Sequence, residues 1–309
     1  MRTPTTTSLT QYAGRDIVAA AHRLESLLTA CGISVRRGSW LDEAMRVAQA
    51  GFEADIVSAT DLDEVRRRRA LMADVHLLAS ILGRIKLPTR PGIVRHFALL
   101  GKADHAVVSP ARRGSRERDL FFELLVAGAA SPWAHAVDLD EPDVLMRRGG
   151  RTWGVACKAA RAAGDQLVKN VRKGRNQVAR AGAQRGLIAV RVTDLAGTVH
   201  SGRDVPAHLV GPGPTFTSHE EAALRVYEQL DDIVRPEQVV RRATSERTPA
   251  VGTVAPIVFV GHLLCDVQDP SGAFRITMLP YWRCVPEEGM LDDEARGLVE
   301  TLWAGFQPG

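Results

Sequence analysis

The chain is poor in cysteine, in aromatic residues and in charge of one sign, and each shortage removes a class of protein. Its four cysteines, at 31, 157, 265 and 284, form no CxxC pair and have no histidine at metal-ligand spacing. That excludes a zinc finger and a disulfide framework, and a reducing, cytoplasmic setting is expected. Aromatic residues make up 5% of the sequence and are not interleaved with basic ones, so the stacking platform of a single-strand binder is not encoded. Forty basic residues against 36 acidic leave a formal charge of +4, too little for a protein that coats polyanions along its whole surface. The strongest apolar run, APIVFVGHLLCDV from 255, contains His262 and is too short to span a bilayer. The opening MRTPTTTSLTQYAG lacks the apolar stretch of a signal peptide, and no membrane partner is expected. Internal repeats, Walker and methyltransferase motifs, helix-turn-helix units and low-complexity tracts are also missing.

What is present is enough apolar residue, 45%, for a substantial core. From Arg15 to about Leu100 the apolar positions recur three and four apart, in IVAAAHRLESLL, WLDEAMRVAQAG and LMADVHLLASILGRI, which predicts an α-helical N-terminal region over 1–112. Arg66 to Arg69 form a basic run there, read as a solvated face or a nucleic-acid contact. The basic segment SPARRGSRERD marks the boundary to a second domain, 113–309. In that domain Asp119 is placed to cap a helix through LFFELLVAGAAS. Three short strands follow, AHAVDLD, PDVLMRR and RTWGVACKA, the last two joined as a hairpin through RRGG.

A long helix from about Ala159 to Ala183 leads to the strand GLIAVRVTD, whose unbroken apolar run predicts burial on both faces. A Gly/Pro-rich excursion over 201–218, a lid or a connector, precedes the helix HEEAALRVYEQLDDIV. Two strands around the turn QDPSG and a final helix, DDEARGLVETLWAGF, complete the order. The fold class is therefore α/β, with helices and a sheet in one layered unit after a helical first third.

The chemistry concentrates near residue 150. A strand has a period of two, so Gly154, Ala156 and Lys158 share one face and Trp153, Val155 and Cys157 the other. Two small residues beside Lys158 suggest open space next to a cation. A hairpin through Gly149 and Gly150 brings Asp143 within reach of that ammonium, either as a salt bridge at a sheet edge or as two sides of one site. Glu123 sits in FFELLVAG, a segment apolar on nearly every side, where a carboxylate without a partner costs several kcal/mol. It needs a cation, which Lys158 or a metal held with Asp143 would supply. Cys157 stands in an apolar setting without a neighbouring histidine, which argues against a nucleophilic role.

The ordered set of helix-borne Glu123, EPDV with Asp143, a strand ending in Lys158 and a helix carrying Gln177 resembles the PD-(D/E)xK nuclease superfamily over residues 117 to 195. The resemblance implies a restriction-endonuclease-like core, a central mixed sheet flanked by helices. It also implies that Asp143, Glu123 and the backbone carbonyl of Cys157 bind Mg2+ or Mn2+, while Lys158 orients the attacking water and stabilises the charged transition state. One position departs from the pattern, because the acid of (D/E)xK falls on Ala156 in ACK. Magnesium needs only one or two protein carboxylates, so Asp143 with Glu123 could suffice, with Asp138, Asp140 or Glu141 as a further source. The other outcome is a degenerate site that binds nucleic acid or a protein partner without cleaving.

The helix after Lys158 is the substrate signal. Lys169, Lys173 and Gln177 are spaced by four and Arg180 extends their face, with Arg172 and Arg175 on its flanks and almost no acids between. Phosphates at regular intervals would neutralise such a helix. DNA is favoured over RNA, and in the family a helix in this place borders the active site. The expected function is a Mg2+-dependent endonuclease of restriction, phage defence or repair, the pathway being an analogy at the level of the fold. The N-terminal helices are left for a target, a homodimer or a protein partner, and could even be the functional part of a non-catalytic assembly protein.

Overall fold

The computed structural model describes residues 14–50, 62–85, 91–103, 116–195, 219–245, 256–268, 274–285 and 291–307. Among the described residues of the first third are the helices α1 (Gly14–Ala30), α2 (Trp40–Ala50), α3 (Leu62–Arg84) and α4 (Pro91–Leu100). Their amphipathic spacing has the expected result, with Leu24, Leu41, Leu71, Leu78 and Phe97 almost wholly buried. The arginine run lies within α3, and of its side chains only that of Arg68 is among the described residues.

The remainder alternates. Helix α5 (Arg116–Ala130) leads into β1 (Ala136–Asp138), β2 (Val144–Arg148) and β3 (Arg151–Ala159), followed by α6 (Asp165–Arg180) and β4 (Arg185–Arg191). A short 3-10 turn, Thr193–Leu195, ends that stretch; then come α7 (His219–Val234), α8 (Pro236–Thr244), β5 (Ile257–Gln268), β6 (Phe274–Val285) and α9 (Asp293–Phe306). The six strands form one open mixed sheet in sequential order. Strands β1 to β3 are antiparallel, β3, β4 and β5 are parallel, and β6 returns antiparallel to β5. Helix α6 makes the crossover between the parallel strands β3 and β4, as such a connection requires. Gly149 and Gly150, with φ of 56° and 76°, make the two-residue turn of the β2–β3 hairpin, where a pair of positive φ values suits glycine.

The alternation in β3 divides the core as its sequence implies. Trp153, Val155 and Cys157 belong to a cluster with α5, α9 and the first four helices, so apolar packing is continuous from Ile17 to the sheet. The expected domain boundary falls in 104–115, outside the described residues, as does the excursion over 201–218. On the opposite face Ile188 and Val190 of β4 pack with Val168 and Val171 of α6 and with Leu230 and Val239 of α7 and α8. Here α6 rides very close to the sheet: a Cβ on Gly174 would stand 2.8 Å from Ile188 Cγ2 and 3.5 Å from Ala156 Cβ. Ala156 is fully buried beneath this helix.

Three boundaries differ from the sequence reading. Helix α5 begins at Arg116, so Asp119 lies inside its first turns instead of capping it. Helix α6 starts only at Asp165 instead of near Ala159, because strand pairing with β4 extends to Ala159–Arg191. Helix α8, with Pro236 at its start, was not anticipated; its nine residues are too few for a strong period. Among the described residues no helix is long and apolar enough to cross a membrane.

Candidate active site

Where β3 ends, α5 and α6 stand on either side of a cleft of about 560 Å3 whose walls include Asp119, Glu123, Asp143, Lys158, Lys173 and Gln177. Residues from two helices, a strand and the segment before β2 meet here, although they span more than fifty positions of the sequence.

Asp143 is the most heavily bonded of them. It directly precedes β2, whose Val144 pairs with Val155, so it arrives beside the end of β3. Its Oδ2 accepts the Cys157 N–H at 2.7 Å and the Lys158 ammonium at 3.0 Å. Its Oδ1 accepts from Gln177 Nε2 at 2.7 Å, and the same amide group donates to the carbonyl of Pro142. Lys158 Nζ also donates to the Cys157 carbonyl at 2.9 Å. Both ends of the ion pair are largely screened from solvent, at 19% and 16% side-chain exposure, which separates it from an ordinary edge salt bridge.

The space beside Gly154 and Ala156 is not open. A Cβ at Gly154 would stand 2.7 Å from Pro142 Cγ and 3.1 Å from Ala183 Cβ, so the proline ring occupies the place a side chain would take. The small residues of β3 therefore admit Pro142 and α6, and seat Asp143 by doing so.

Glu123 has a partner other than those expected. Its Oε2 lies 2.8 Å from Nε2 of His96 on α4, and Nδ1 of that ring is 2.9 Å from the Gly92 carbonyl. The hydrogen-bond partner that the apolar helix demanded is supplied by the N-terminal region. His96 was missed because the pairing spans 27 positions and a lone histidine in PGIVRHFALL carries no motif.

Asp119 was also overlooked as a site residue. It stands one helical turn before Glu123, lines the same cleft and faces Arg161 at 3.5 Å. Burial pushes its carboxyl above the ordinary carboxylate range, against the pull of Arg161, Arg191 and Lys158. The i, i+4 spacing to Glu123 was the available signal. Asp138, Asp140 and Glu141 do not line the cleft; Asp138 Oδ1 accepts from the Leu139 N–H and Asp140 Oδ1 from the Glu141 N–H. Cys157 is buried, and burial followed by the fields of Asp143 and Glu123 pushes its thiol well up, which fits the reading that it is no nucleophile.

On α6, Lys169, Lys173 and Arg180 are exposed, and Lys173 reaches the cleft. Arg172 and Arg175 instead turn toward the C-terminal end of α8, donating to the carbonyls of Arg242 and Ala243 at 3.0 and 3.2 Å. The basic face is thus narrower than its sequence suggests.

Among the described residues no group of three or more His, Cys, Asp and Glu side chains is arranged to hold a metal ion. The oxygen chemistry nevertheless suits a hard dication that keeps most of its waters. Asp143 Oδ1 accepts one bond, leaving a lone pair, and Glu123 Oε1 accepts none among the described residues. The Cys157 carbonyl, the third implied ligand, is already used by Lys158 Nζ. No protein-family model matches the chain, and neither a curated protein nor a solved structure matches it.

Proposed function

We propose that the chain is a metal-dependent phosphodiesterase hydrolysing the DNA backbone, a PD-(D/E)xK-type nuclease with a restriction-endonuclease-like core and Ala156 in place of one acid. The observation that carries this reading is the convergence of Glu123, Asp143, Lys158 and Gln177 in one cleft beside the exposed cation of Lys173. A bound Mg2+ or Mn2+ supplies Lewis-acid activation of water and offsets charge gathering on the phosphorus oxygens. Asp143 and Glu123 would hold it through their remaining lone pairs, a set of two carboxylates that suffices for magnesium. Lys158 Nζ spends two donors on Asp143 and the Cys157 carbonyl, and its third is available to the attacking water or the scissile phosphate. Gln177 fixes the Asp143 carboxylate, while Lys173, Lys169 and Arg180 neutralise successive phosphates along α6. A cytoplasmic role in restriction, phage defence or repair accords with this activity.

Supercoiled, linear duplex and single-stranded DNA incubated with the protein in Mg2+ or Mn2+ tests the proposal. Strand scission is expected that stops with chelator and in Asp143→Asn and Lys158→Met. Absence of scission by the wild type, or its survival in both variants, would overturn it.

A second reading is favoured by Ala156 and by the ammonium that already grips Asp143 and the Cys157 carbonyl. It is a non-catalytic member of the same fold that binds nucleic acid or a protein. That protein would bind DNA with an affinity falling steeply with salt, indifferent to magnesium, and would show no turnover.

A further inference from the structure

One element of the N-terminal region touches both Glu123 and the segment that leads to Asp143. Helix α4 begins with Pro91–Gly92, and Gly92 lies so close to the strand side of the site that a Cβ there would stand 2.1 Å from the Leu139 carbonyl oxygen and 2.6 Å from Asp138 Oδ1. Only glycine permits that approach. The segment it touches runs directly into Pro142 and Asp143. One turn later on the same helix, His96 reaches Glu123 at 2.8 Å while bonding back to the Gly92 carbonyl at 2.9 Å. The His96 and Glu123 side chains are only 10% and 16% exposed, so solvent competes weakly for these bonds.

We infer that α4 is a strut that sets the separation of Glu123 from Asp143, and that His96 is the positioning residue through which it acts. The inference rests on the nuclease reading for its catalytic consequence, but not for the geometry. His96 does not line the cleft and is proposed to touch neither substrate nor metal. Its contribution is to take up Oε2 of Glu123 and lock the carboxylate rotamer, leaving Oε1 for the metal. A ligand supported in this way loses about 10- to 100-fold in metal affinity when the supporting contact is removed. The helical first third then has a role that is neither a separate substrate module nor a mere partner surface: α4 adds a second link between the two acids beside the packing of α5 on the sheet.

Three variants of the full chain separate this from simple packing. His96→Leu removes both contacts, His96→Asn keeps a donor near Gly92 but cannot reach Glu123, and His96→Gln offers an amide where Nε2 stood. Mn2+ binding, followed by electron paramagnetic resonance with circular dichroism as a folding control, should weaken about 10- to 100-fold in the first two and recover in the third. Duplex binding in chelator, read by fluorescence anisotropy, should be the same in all. Equal Mn2+ affinity in wild type and in folded His96→Asn would overturn the inference, as would a loss in His96→Gln as large as in His96→Asn. The strut is also read without metal, from the 15N resonances of the His96 ring. They should move when Glu123→Leu removes the acceptor, and unmoved resonances refute the contact. Should the wild type bind no Mn2+ and cut no DNA while those resonances respond, the nuclease reading falls and the strut stands.

Discussion

Replacing Gly154 with alanine tests whether the close seat of Pro142 fixes Asp143, the aspartate of the proposed site. The added methyl would stand 2.7 Å from Pro142 Cγ, 3.0 Å from its Cδ and 3.1 Å from Ala183 Cβ. Carbon atoms rest about 3.5 Å apart or more, so the ring has to withdraw by roughly 0.8 Å. Overpacking of this kind costs about 1–3 kcal/mol, and the entropy that alanine saves over glycine returns about 0.5–1, for a net loss of about 1–2 kcal/mol. In a chain of this size that lowers Tm by roughly 1.5–3 °C. The effect on cleavage should be larger than the stability change suggests. Pro142 is covalently joined to Asp143, and its carbonyl shares the Gln177 amide with the Asp143 carboxylate. A displacement approaching 1 Å at a reacting centre costs on the order of 100-fold in rate.

Thermal melting and a plasmid-nicking assay well below Tm measure the two effects. Pro142→Ala in the same molecule removes the ring carbons from the collision, and a coupling of about 1 kcal/mol or more between the two changes is expected. Wild-type cleavage in Gly154→Ala, or no coupling in the double variant, refutes the argument.

Ala156→Glu, which restores the missing acid of the motif, should not raise cleavage: position 156 is fully buried under α6, and the buried carboxylate costs several kcal/mol. A folded, more active variant in a nicking assay would contradict the packing described for β3 and α6. Lys158→Met removes the ammonium that Asp143 and the Cys157 carbonyl accept from, and should lower stability by about 1–3 kcal/mol while reducing scission to background; stability unchanged in urea titration would show that the pair is only a surface bridge. Asp292 caps α9 by accepting the Ala295 N–H at 2.9 Å, and this bond, with help from Arg185, holds its carboxyl below the usual range. Asp292→Ala should therefore cost about 1 kcal/mol at neutral pH. A depressed carboxyl stabilises above its unfolded value and ceases to as pH falls through the folded one, so the difference between variant and wild type should shrink below about pH 4. A difference constant from pH 7 to pH 3 would rule this out.

Local pattern carried much of the architecture. The period of two in RTWGVACKA assigned the faces of β3, and GG after a basic strand end assigned the hairpin, because both are set within a few residues. The site was legible as far as its members were adjacent in that hairpin or one helix away: Asp143, Lys158 and Gln177 are bonded together. What escaped was long-range. The partner of Glu123 comes from a helix that no motif tied to it, and Asp119 was read as a cap because the start of α5 could not be fixed to within a turn. Small residues were misread for a similar reason. Gly154 and Ala156 signal close approach, but sequence does not say of what, and the answer was Pro142 and α6 instead of a vacant pocket.

The last two strands give the sheet an uneven outline. Strand β4 pairs with β5 only from Ile257 to Val260, yet β5 and β6 stay paired to Gln268 and Phe274. Eight further residues, Gly261 to Gln268, therefore project as a two-stranded arm, roughly 26 Å of backbone at strand rise. Since β3, β4 and β5 run in the same direction, the arm leaves the sheet at the end where Lys158 lies, two strand spacings or roughly 10 Å away. The end of the sheet that carries Lys158 is thus stepped, with its β5–β6 side standing well beyond its β3 side.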